Sequence, residues 1–296
     1  MSDISQNLVE PEVLAKLSKL DVRARGVVEG SFSGMHKSPH KGSSVEFSQY
    51  RKYVPGDDIS NLDWRVYAKT DRFYIKEFEA DTNLRCHLIV DSSGSMGFQS
   101  AHGSKLDYAR KLAATLAQLL IQQGDTVGLQ SFAEKMIHDI PARGSAKHLG
   151  SIFTLLSELS SSGETRIIKV LHDLAEKIHR RAMIIIFSDC FTDVDKLLDC
   201  FQHMKFRKHD LAVFHIMDPD ELDFEFDRSI RFMDMESSFS IVSEPSMIRR
   251  EYLAEVNKYL EKMKRGCREF HVDYRFVKTS DPYDKVLTDF LLERQK

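Results

Sequence analysis

Three short, strongly apolar runs constrain the fold of this chain more than any other feature. They lie within residues 84–90, 183–187 and 211–216, and an aspartate follows each within two residues. Runs of this length between polar segments are typical of strands that are buried on both faces of a sheet. Longer segments with apolar residues at helical spacing, such as residues 106–122, separate them. The alternation predicts an α/β fold, a mostly parallel sheet flanked by helices.

The remaining elements follow from periodicity and from turn residues. A short amphipathic helix is predicted near the N-terminus, within residues 11–30. Short extended pieces are predicted within residues 45–53, and further strands at residues 73–79, 126–132, 135–140 (an edge strand), 230–235, 239–242 and 272–277. Further helices are predicted at residues 146–159, 167–179 and 245–264, through residues 197–198, and from residue 282 onward.

The length of 296 residues allows one large core with a smaller appended module. We therefore expect a main domain over residues 80–296, preceded by an N-terminal extension over residues 1–79 that packs on it. Within the extension, Pro55-Gly56 between polar residues predicts an architectural turn. The neighbouring aromatic side chains are interpreted as a small core rather than a recognition patch; they are Tyr53, Trp64, Tyr67, Phe73 and Tyr74.

Composition excludes several classes of protein. The formal net charge of −3 lacks the basic excess that nucleic-acid binding needs. No apolar run approaches the roughly 20 residues that span a bilayer, and the first ten residues lack the pattern of a signal peptide. The four cysteines form no Cys-x-x-Cys pair, which predicts reduced, buried thiols. We expect a cytoplasmic protein.

Polar residues with oxygen side chains follow the predicted strands at three places. The first is Asp91-Ser92-Ser93-Gly94-Ser95, the second is the loop Ser162-Gly163-Glu164-Thr165, and the third is Asp189. Ligands of open parallel sheets bind beyond the carboxyl ends of the strands, where such loops converge. Carboxylate and hydroxyl oxygens suit Mg²⁺ or Mn²⁺, which prefer near-octahedral oxygen shells. A divalent-cation site is therefore predicted at this edge.

The pattern Asp-x-Ser-x-Ser, a distant threonine and a later strand-end aspartate resembles the metal-ion-dependent adhesion site of von Willebrand factor A and integrin inserted domains. The resemblance implies a von Willebrand factor A-like fold. It also implies that Ser93, Ser95 and Thr165 are hydroxyl ligands, and that Asp91 and Asp189 act directly or through water. One coordination position then remains for a carboxylate of a partner protein.

A wider resemblance covers nearly the whole chain and concerns the bacterial domain-of-unknown-function 58 family. Its matching residues are Glu46-Phe47, Arg51, Tyr53, Pro55-Gly56-Asp57-Asp58, Asp63-Trp64, Tyr74, Lys76 and Asp218-Pro219-Asp220-Glu221-Leu222. Members are often encoded beside MoxR-type AAA+ ATPases, which implies a non-enzymatic adaptor or co-chaperone of such a motor. The chain departs from the pattern at two positions: Glu164 replaces a small residue before Thr165, and Cys190 replaces glycine after Asp189.

Other interpretations of the motif were compared with the adhesion site. Residues 97–105 do not match a phosphate-binding loop, because the spacing is one residue too long and Ser104-Lys105 reverses the required order. A haloacid dehalogenase-type phosphatase needs a carboxylate two residues after its nucleophile, where this chain has Ser93. A plain capped strand-to-helix turn, a metal-dependent hydrolase and a structural scaffold whose site holds only water stay open as alternatives.

Overall fold

The computed structural model describes residues 8–23, 46–54, 63–70, 72–79, 84–226, 230–233, 235 and 240–295. Its strands are Glu46–Lys52 (β1), Tyr74–Glu79 (β2), Arg85–Asp91 (β3), Gln99–Ser100 (β4), Gly103–Ser104 (β5), Thr126–Phe132 (β6), Met136–Arg143 (β7), Met183–Ser188 (β8), Asp210–Met217 (β9), Ile230–Met233 (β10), Ser240–Ser243 (β11) and Asp273–Lys278 (β12). Its helices are Pro11–Leu17 (α1), Trp64–Thr70 (α2), Lys105–Gln122 (α3), Ala146–Glu158 (α4), Ile167–Lys177 (α5), Val194–Phe206 (α6), Pro219–Asp223 (α7), Pro245–Glu269 (α8) and Tyr283–Gln295 (α9).

A six-stranded sheet organises the molecule, in the order β12-β9-β8-β3-β6-β7. Strands β12, β9, β8, β3 and β6 are parallel, and the edge strand β7 pairs antiparallel with β6. The α/β class and the mostly parallel sheet predicted from the sequence are thus confirmed. Short antiparallel pairs, β1 with β2, β4 with β5 and β10 with β11, lie outside this sheet.

The four central strands of the sheet, β9, β8, β3 and β6, are buried on both faces, as continuous apolar runs predict, whereas the edge strands β7 and β12 are partly exposed. Leu88, Val90 and Phe187 belong to one core cluster, with residues of α1, α3, α4 and α9. Ile89 and Ile186 point to the other face and pack with residues of α5, α6 and α8. Successive strand side chains alternate between faces, so each strand needs apolar residues at every position to fill both cores.

The N-terminal segment contributes to the first of these cores. Val13 and Leu17 of α1 are buried in it. The Gln123 side chain accepts a hydrogen bond from the Val22 amide (3.0 Å) and donates one to the Leu20 carbonyl (2.8 Å). Residues 8–23 of the predicted extension are therefore anchored on the main sheet.

Aromatic side chains around α2 pack with one another. The rings of Tyr67 and Phe73 stack with centroids 4.4 Å apart, while Trp64 remains 60% exposed. Buried Asp63 accepts a hydrogen bond from the Val66 amide (3.2 Å), as a residue that caps a helix N-terminus does. Asp63 of the sequence signature is thus explained as a cap, whereas the predicted turn at Pro55-Gly56 lies outside the described residues.

Most elements match the sequence prediction to within a few residues, but α2, α7 and the β4–β5 pair were missed. These elements span only two to seven residues, too few to show a periodicity. The prediction of buried thiols is confirmed, since all four cysteines are buried and free. Among the described helices, none has the length and apolarity needed to cross a bilayer.

Candidate metal site

The site lies at the centre of the carboxyl edge of the sheet. Strand β3 has β6 on one side and β8 on the other, so the connections of the central strands leave in opposite directions there. Such a switch point leaves a crevice between the diverging loops, and ligands of open α/β sheets bind in it. The register pairs Val90 with Phe187, which brings Asp91 beside Ser188. The motif loop and Asp189 therefore flank one crevice.

Asp91 is fully buried and both of its carboxylate oxygens accept hydrogen bonds. The Ser188 hydroxyl donates to Oδ2 (2.6 Å), and the Ser93 amide donates to Oδ1 (3.0 Å). Burial, and secondly the nearby negative charge of Asp189, raise the pKa of Asp91 to about 7, despite these hydrogen bonds. Two buried carboxylates that repel each other form an environment that a cation stabilises.

Ser93 and Ser95 present their hydroxyl groups together beside Asp189. Their Oγ atoms are 3.1 Å apart, and the Ser95 side chain hydrogen-bonds to Asp189. Gly94–Gly97 forms a single 3₁₀ turn, which brings the two alternate serines to the same side of the loop. Ligands at adjacent corners of an octahedron with bonds of about 2.1 Å lie about 3.0 Å apart. The serine pair therefore fits two neighbouring positions around Mg²⁺ or Mn²⁺.

The loop that carries Thr165 is docked on the motif loop by backbone hydrogen bonds. The Gly94 amide donates to the Gly163 carbonyl (2.9 Å), and the Ser162 amide donates to the Ser92 carbonyl (3.0 Å). Thr165, two residues after Gly163, is partly buried. Segments about 70 residues apart in sequence are thus brought to one crevice, as the adhesion-site pattern requires.

Asp189 makes an ion pair that sequence reasoning did not predict. The Lys105 ammonium, only 2% exposed, lies 2.9 Å from Asp189 Oδ2 and 2.7 Å from Glu221 Oε1. Burial opposes ionisation of Asp189, but the Lys105 charge outweighs it and lowers the pKa of Asp189. Burial likewise disfavours the charged lysine, yet Asp189 and Glu221 raise the pKa of Lys105 to about 12. The ammonium is therefore a fixed positive charge beside the crevice.

Glu221 is held in place by the Asp-Pro-Asp-Glu-Leu segment. Its second carboxylate oxygen accepts a hydrogen bond from the Asp218 amide (2.9 Å), and the Asp218 carboxylate caps α7 through the Asp220 amide (3.0 Å). The other oxygen of fully buried Asp218 accepts hydrogen bonds from Ser100 (2.7 Å) and Thr279 (2.6 Å). This sequence signature therefore forms a brace whose last carboxylate binds Lys105.

The backbone after Asp189 adopts a conformation that favours glycine. Cys190, the residue at which the chain departs from the family pattern, has φ of 53°, in the left-handed region. Two hydrogen bonds hold it: its amide donates to Ser188 Oγ (2.8 Å), and its carbonyl accepts from the Tyr259 hydroxyl. The turn aims the Phe191 amide at Asp189 Oδ1 (3.3 Å).

Ser188, Lys105 and Glu221 are the residues of this site that the sequence did not identify. Ser188 precedes Asp189, and nothing in its immediate neighbours shows that it binds Asp91. Lys105 carried one signal: it is the first residue of α3, after the cap Ser104, where the helix dipole disfavours a cation. A lysine at such a position indicates nearby carboxylates, but not which ones.

The donor set fits a hard divalent cation. Asp91 and Asp189 supply carboxylate oxygens, and Ser93, Ser95 and Thr165 supply hydroxyl oxygens. Among the described residues, no group of three or more His, Cys, Asp or Glu side chains is arranged to hold a metal. A metal ion at this crevice would need the serine and threonine hydroxyls, which are weak ligands that suit Mg²⁺ better than softer metals.

Comparisons with known proteins agree with this architecture. An uncharacterised protein of Mycobacterium tuberculosis is 25% identical over 77% of this chain and 72% of its own length. The crystal structure of an aerotolerance-related membrane protein from Bacteroides fragilis is similar at 16% identity, over 72% of this chain and 99% of that chain, with a TM-score of 0.50. The SpRpn10 VWA domain is similar at 10% identity, over 70% and 95%, with a TM-score of 0.43.

Similarity to solved structures at this level of identity concerns the fold alone. The fold is the α/β architecture with a mostly parallel sheet that the sequence predicts. The profile of the family described as "Protein of unknown function DUF58" matches residues 49–261, which is more than two thirds of the chain. The chain belongs to this family.

Proposed function

We propose that this chain is a protein-interaction module that binds a divalent cation, Mg²⁺ or Mn²⁺, jointly with a carboxylate of a partner protein. Asp91, Ser93, Ser95, Thr165 and Asp189 would hold the ion. The observation that carries the proposal is the pair of hydroxyl oxygens of Ser93 and Ser95, 3.1 Å apart and next to two buried carboxylates. When bound, the ion would link this chain to an Asp or Glu of the partner.

The composition of the site supports the need for a further ligand. Asp91 and Asp189 already accept hydrogen bonds from Ser188, Ser93 and Lys105, so their oxygens are shared. The other proposed ligands are neutral hydroxyls, and Mg²⁺ gives up its water ligands reluctantly. An incoming carboxylate supplies the charge that the hydroxyls lack. Partner binding and ion binding should therefore strengthen each other.

A non-enzymatic role is part of the proposal. A carboxylate that attacks a substrate needs an accessible oxygen, whereas Asp91 has no exposed surface and both of its oxygens are engaged. Lys105, the buried amine of the site, is held by two carboxylates and is not placed as a base. These contacts argue against Asp91 as a nucleophile and against Lys105 as a base.

The partner is proposed from the family resemblance. Members of the family are often encoded beside MoxR-type AAA+ ATPases, so we propose that the chain is an adaptor or co-chaperone of such an ATPase in the cytoplasm. The proposal requires that the ATPase present an Asp or Glu that reaches the crevice.

Ion binding is tested first on the purified chain. Titration with MnCl₂, followed by the electron paramagnetic resonance of free Mn²⁺, should show one site that the Ser93→Ala variant weakens at least about tenfold, since a neutral ligand is lost. Ser151→Ala is the matched control, because Ser151 is an exposed serine on α4. Equal Mn²⁺ binding by both variants, or no binding by the unaltered chain, would contradict the site.

Partner binding is tested with a purified MoxR-type AAA+ ATPase of the same organism. Complex formation should require Mg²⁺, stop on addition of EDTA, and be lost in Asp91→Ala while Ser151→Ala retains it. A complex of the same affinity in EDTA would refute the metal-mediated contact. Turnover of phosphate esters or nucleotides that depends on Asp189 would instead support the hydrolase.

A further inference from the structure

We propose that Lys105 tunes the adhesion site: its fixed positive charge weakens the hold on the divalent ion and keeps the loaded site able to accept an anionic group. The inference rests on the proposed function, because it concerns the same ion and the same partner carboxylate. Lys105 is a positioning residue in this account, since it acts through Asp189.

Lys105 binds one carboxylate oxygen of Asp189. Its ammonium donates to Oδ2 (2.9 Å), while Oδ1 accepts a hydrogen bond from the Phe191 amide (3.3 Å). The Ser95 side chain also binds this carboxylate. Asp189 is therefore oriented toward Ser95, and an ion that binds there shares the carboxylate with the ammonium.

The location of Lys105 is an unfavourable one for a cation. Removing an ammonium group from water is costly even after the surroundings relax. The positive end of the α3 dipole adds a further penalty, because Lys105 is the first residue of that helix. Apolar side chains often replace buried ion pairs without loss of stability. A buried lysine at the edge of the crevice is thus better explained by its charge than by packing.

The charges at the crevice show what this lysine changes. Asp91, Asp189 and Glu221 carry three negative charges when ionised, and Lys105 carries one positive charge, which leaves a net charge of −2. A divalent ion brings this group to neutrality. Without the lysine, the loaded group would keep a net charge of −1 and would repel a partner carboxylate. Lys105 therefore lowers the affinity of the site for the ion and allows the loaded site to accept an anionic ligand.

The test uses two substitutions with opposite expected effects. Lys105→Met removes the positive charge and should tighten Mn²⁺ binding about tenfold; Glu221→Gln removes a negative charge and should weaken it about tenfold. A merely structural lysine would give a different result, because losing either side of the ion pair would disturb Asp189 and weaken binding. The double variant should return to near the affinity of the unaltered chain.

The Mn²⁺ affinity of the unaltered chain and of each variant is measured on the full chain by calorimetric titration with MnCl₂. Lys111→Met is the matched control on the same helix, where the Lys111 ammonium lies over the Tyr283 ring and not at the crevice. Thermal melting in EDTA shows whether each variant is folded. If Lys105→Met fails to fold, Lys105→Gln takes its place, because it also removes the charge and can still hydrogen-bond to Asp189; unchanged or weaker binding by that variant overturns the inference.

Acceptance of an anion is measured with acetate as the probe. Mn²⁺ broadens the proton resonance of acetate when the carboxylate reaches the ion, and the broadening should be reduced in Lys105→Met at equal Mn²⁺ occupancy. Equal broadening in both proteins would overturn this half of the inference. If Ser93→Ala binds Mn²⁺ as well as the unaltered chain, the proposed function itself fails; if only the Lys105 and Glu221 effects are absent, the inference alone fails.

Discussion

Gly94→Ala should disconnect the motif loop from the segments that pack on it. A Cβ atom at Gly94 would overlap the carbonyl oxygen of Met235, and would lie 2.9 Å from the Met235 carbonyl carbon and 3.3 Å from the Gly163 carbonyl oxygen. All three atoms belong to the backbone, so no side chain can rotate away. The loop that carries Thr165 must shift, because the Gly94 amide also binds Gly163.

The size of the effect follows from two opposing contributions. Overpacking of a well-packed site costs about 1–3 kcal/mol, and rigid backbone neighbours place this site at the upper end. Replacing Gly by Ala also reduces the conformational entropy of the unfolded chain, which stabilises the fold by about 0.4–1 kcal/mol when the backbone angles permit Ala. We expect a net loss of about 2 kcal/mol, which corresponds to a decrease in Tm of about 4–8 °C.

Gly97→Ala is the matched control within the same loop. Its Cβ would meet the Ser161 hydroxyl and lie 3.0 Å from the Ser161 Cβ, and the hydroxyl is the end of a side chain that can rotate. Urea denaturation gives the stability of both variants, and MnCl₂ titration gives their ion affinity. Gly94→Ala should lose both, and Gly97→Ala should lose less of each. If the two variants are equally stable, the reasoning from rigid neighbours is refuted.

Three further predictions concern the rest of the fold. Arg294→Met should lower the free energy of unfolding by about 3 kcal/mol or more, because the fully buried guanidinium pairs with Asp273 (2.9 Å); urea denaturation should show a smaller loss for Arg294→Lys. Gly266→Ala should destabilise the chain, because the added Cβ would lie 2.7 Å from Leu198 Cδ2, and this overlap outweighs the gain of about 1 kcal/mol in helix propensity. In a Leu198→Ala background the added methyl group should no longer be destabilising. Burial lowers the pKa of His215 from 6.5 to about 4, so between these pH values the unfolded chain binds a proton that the folded chain does not. The contribution of neutral His215 to stability is therefore complete above pH 6.5 and is lost as the pH falls toward 4. His215→Phe should reduce this pH dependence, as measured by urea midpoints across that range.

Each of the three predictions has a result that would contradict it. A loss below about 1 kcal/mol in Arg294→Met would show that the ion pair is not needed for stability. Gly266→Ala as stable as the unaltered chain would show that the helix shifts without cost. A pH profile that His215→Phe leaves unchanged would assign the acid sensitivity to other groups.

The sequence by itself determined the strands, the main helices and the motif loop. Residues 183–187 are apolar at every position, and this local pattern specifies a strand buried on both faces whatever surrounds it. The Asp91–Ser95 motif is equally local, since its oxygen atoms lie within five residues. Thr165 and Asp189 were placed beside the motif by the convergence of loops at the carboxyl edge of a parallel sheet, and the family resemblance supplied their roles as ligands.

The tertiary structure alone decided the electrostatics of the crevice. Lys105 contacts Asp189, which lies 84 residues away in the sequence, and Glu221, which lies 116 residues away. Ser188 contacts Asp91, which lies 97 residues away. No local rule pairs such residues, because their proximity results from the strand order and from the α7 brace. Desolvation also acts only after folding: burial raises the pKa of Asp91 to about 7, while Asp189 and Glu221 outweigh the burial of Lys105 and keep it charged. The sequence determined which oxygen atoms are available, and the fold determined the charge that they face.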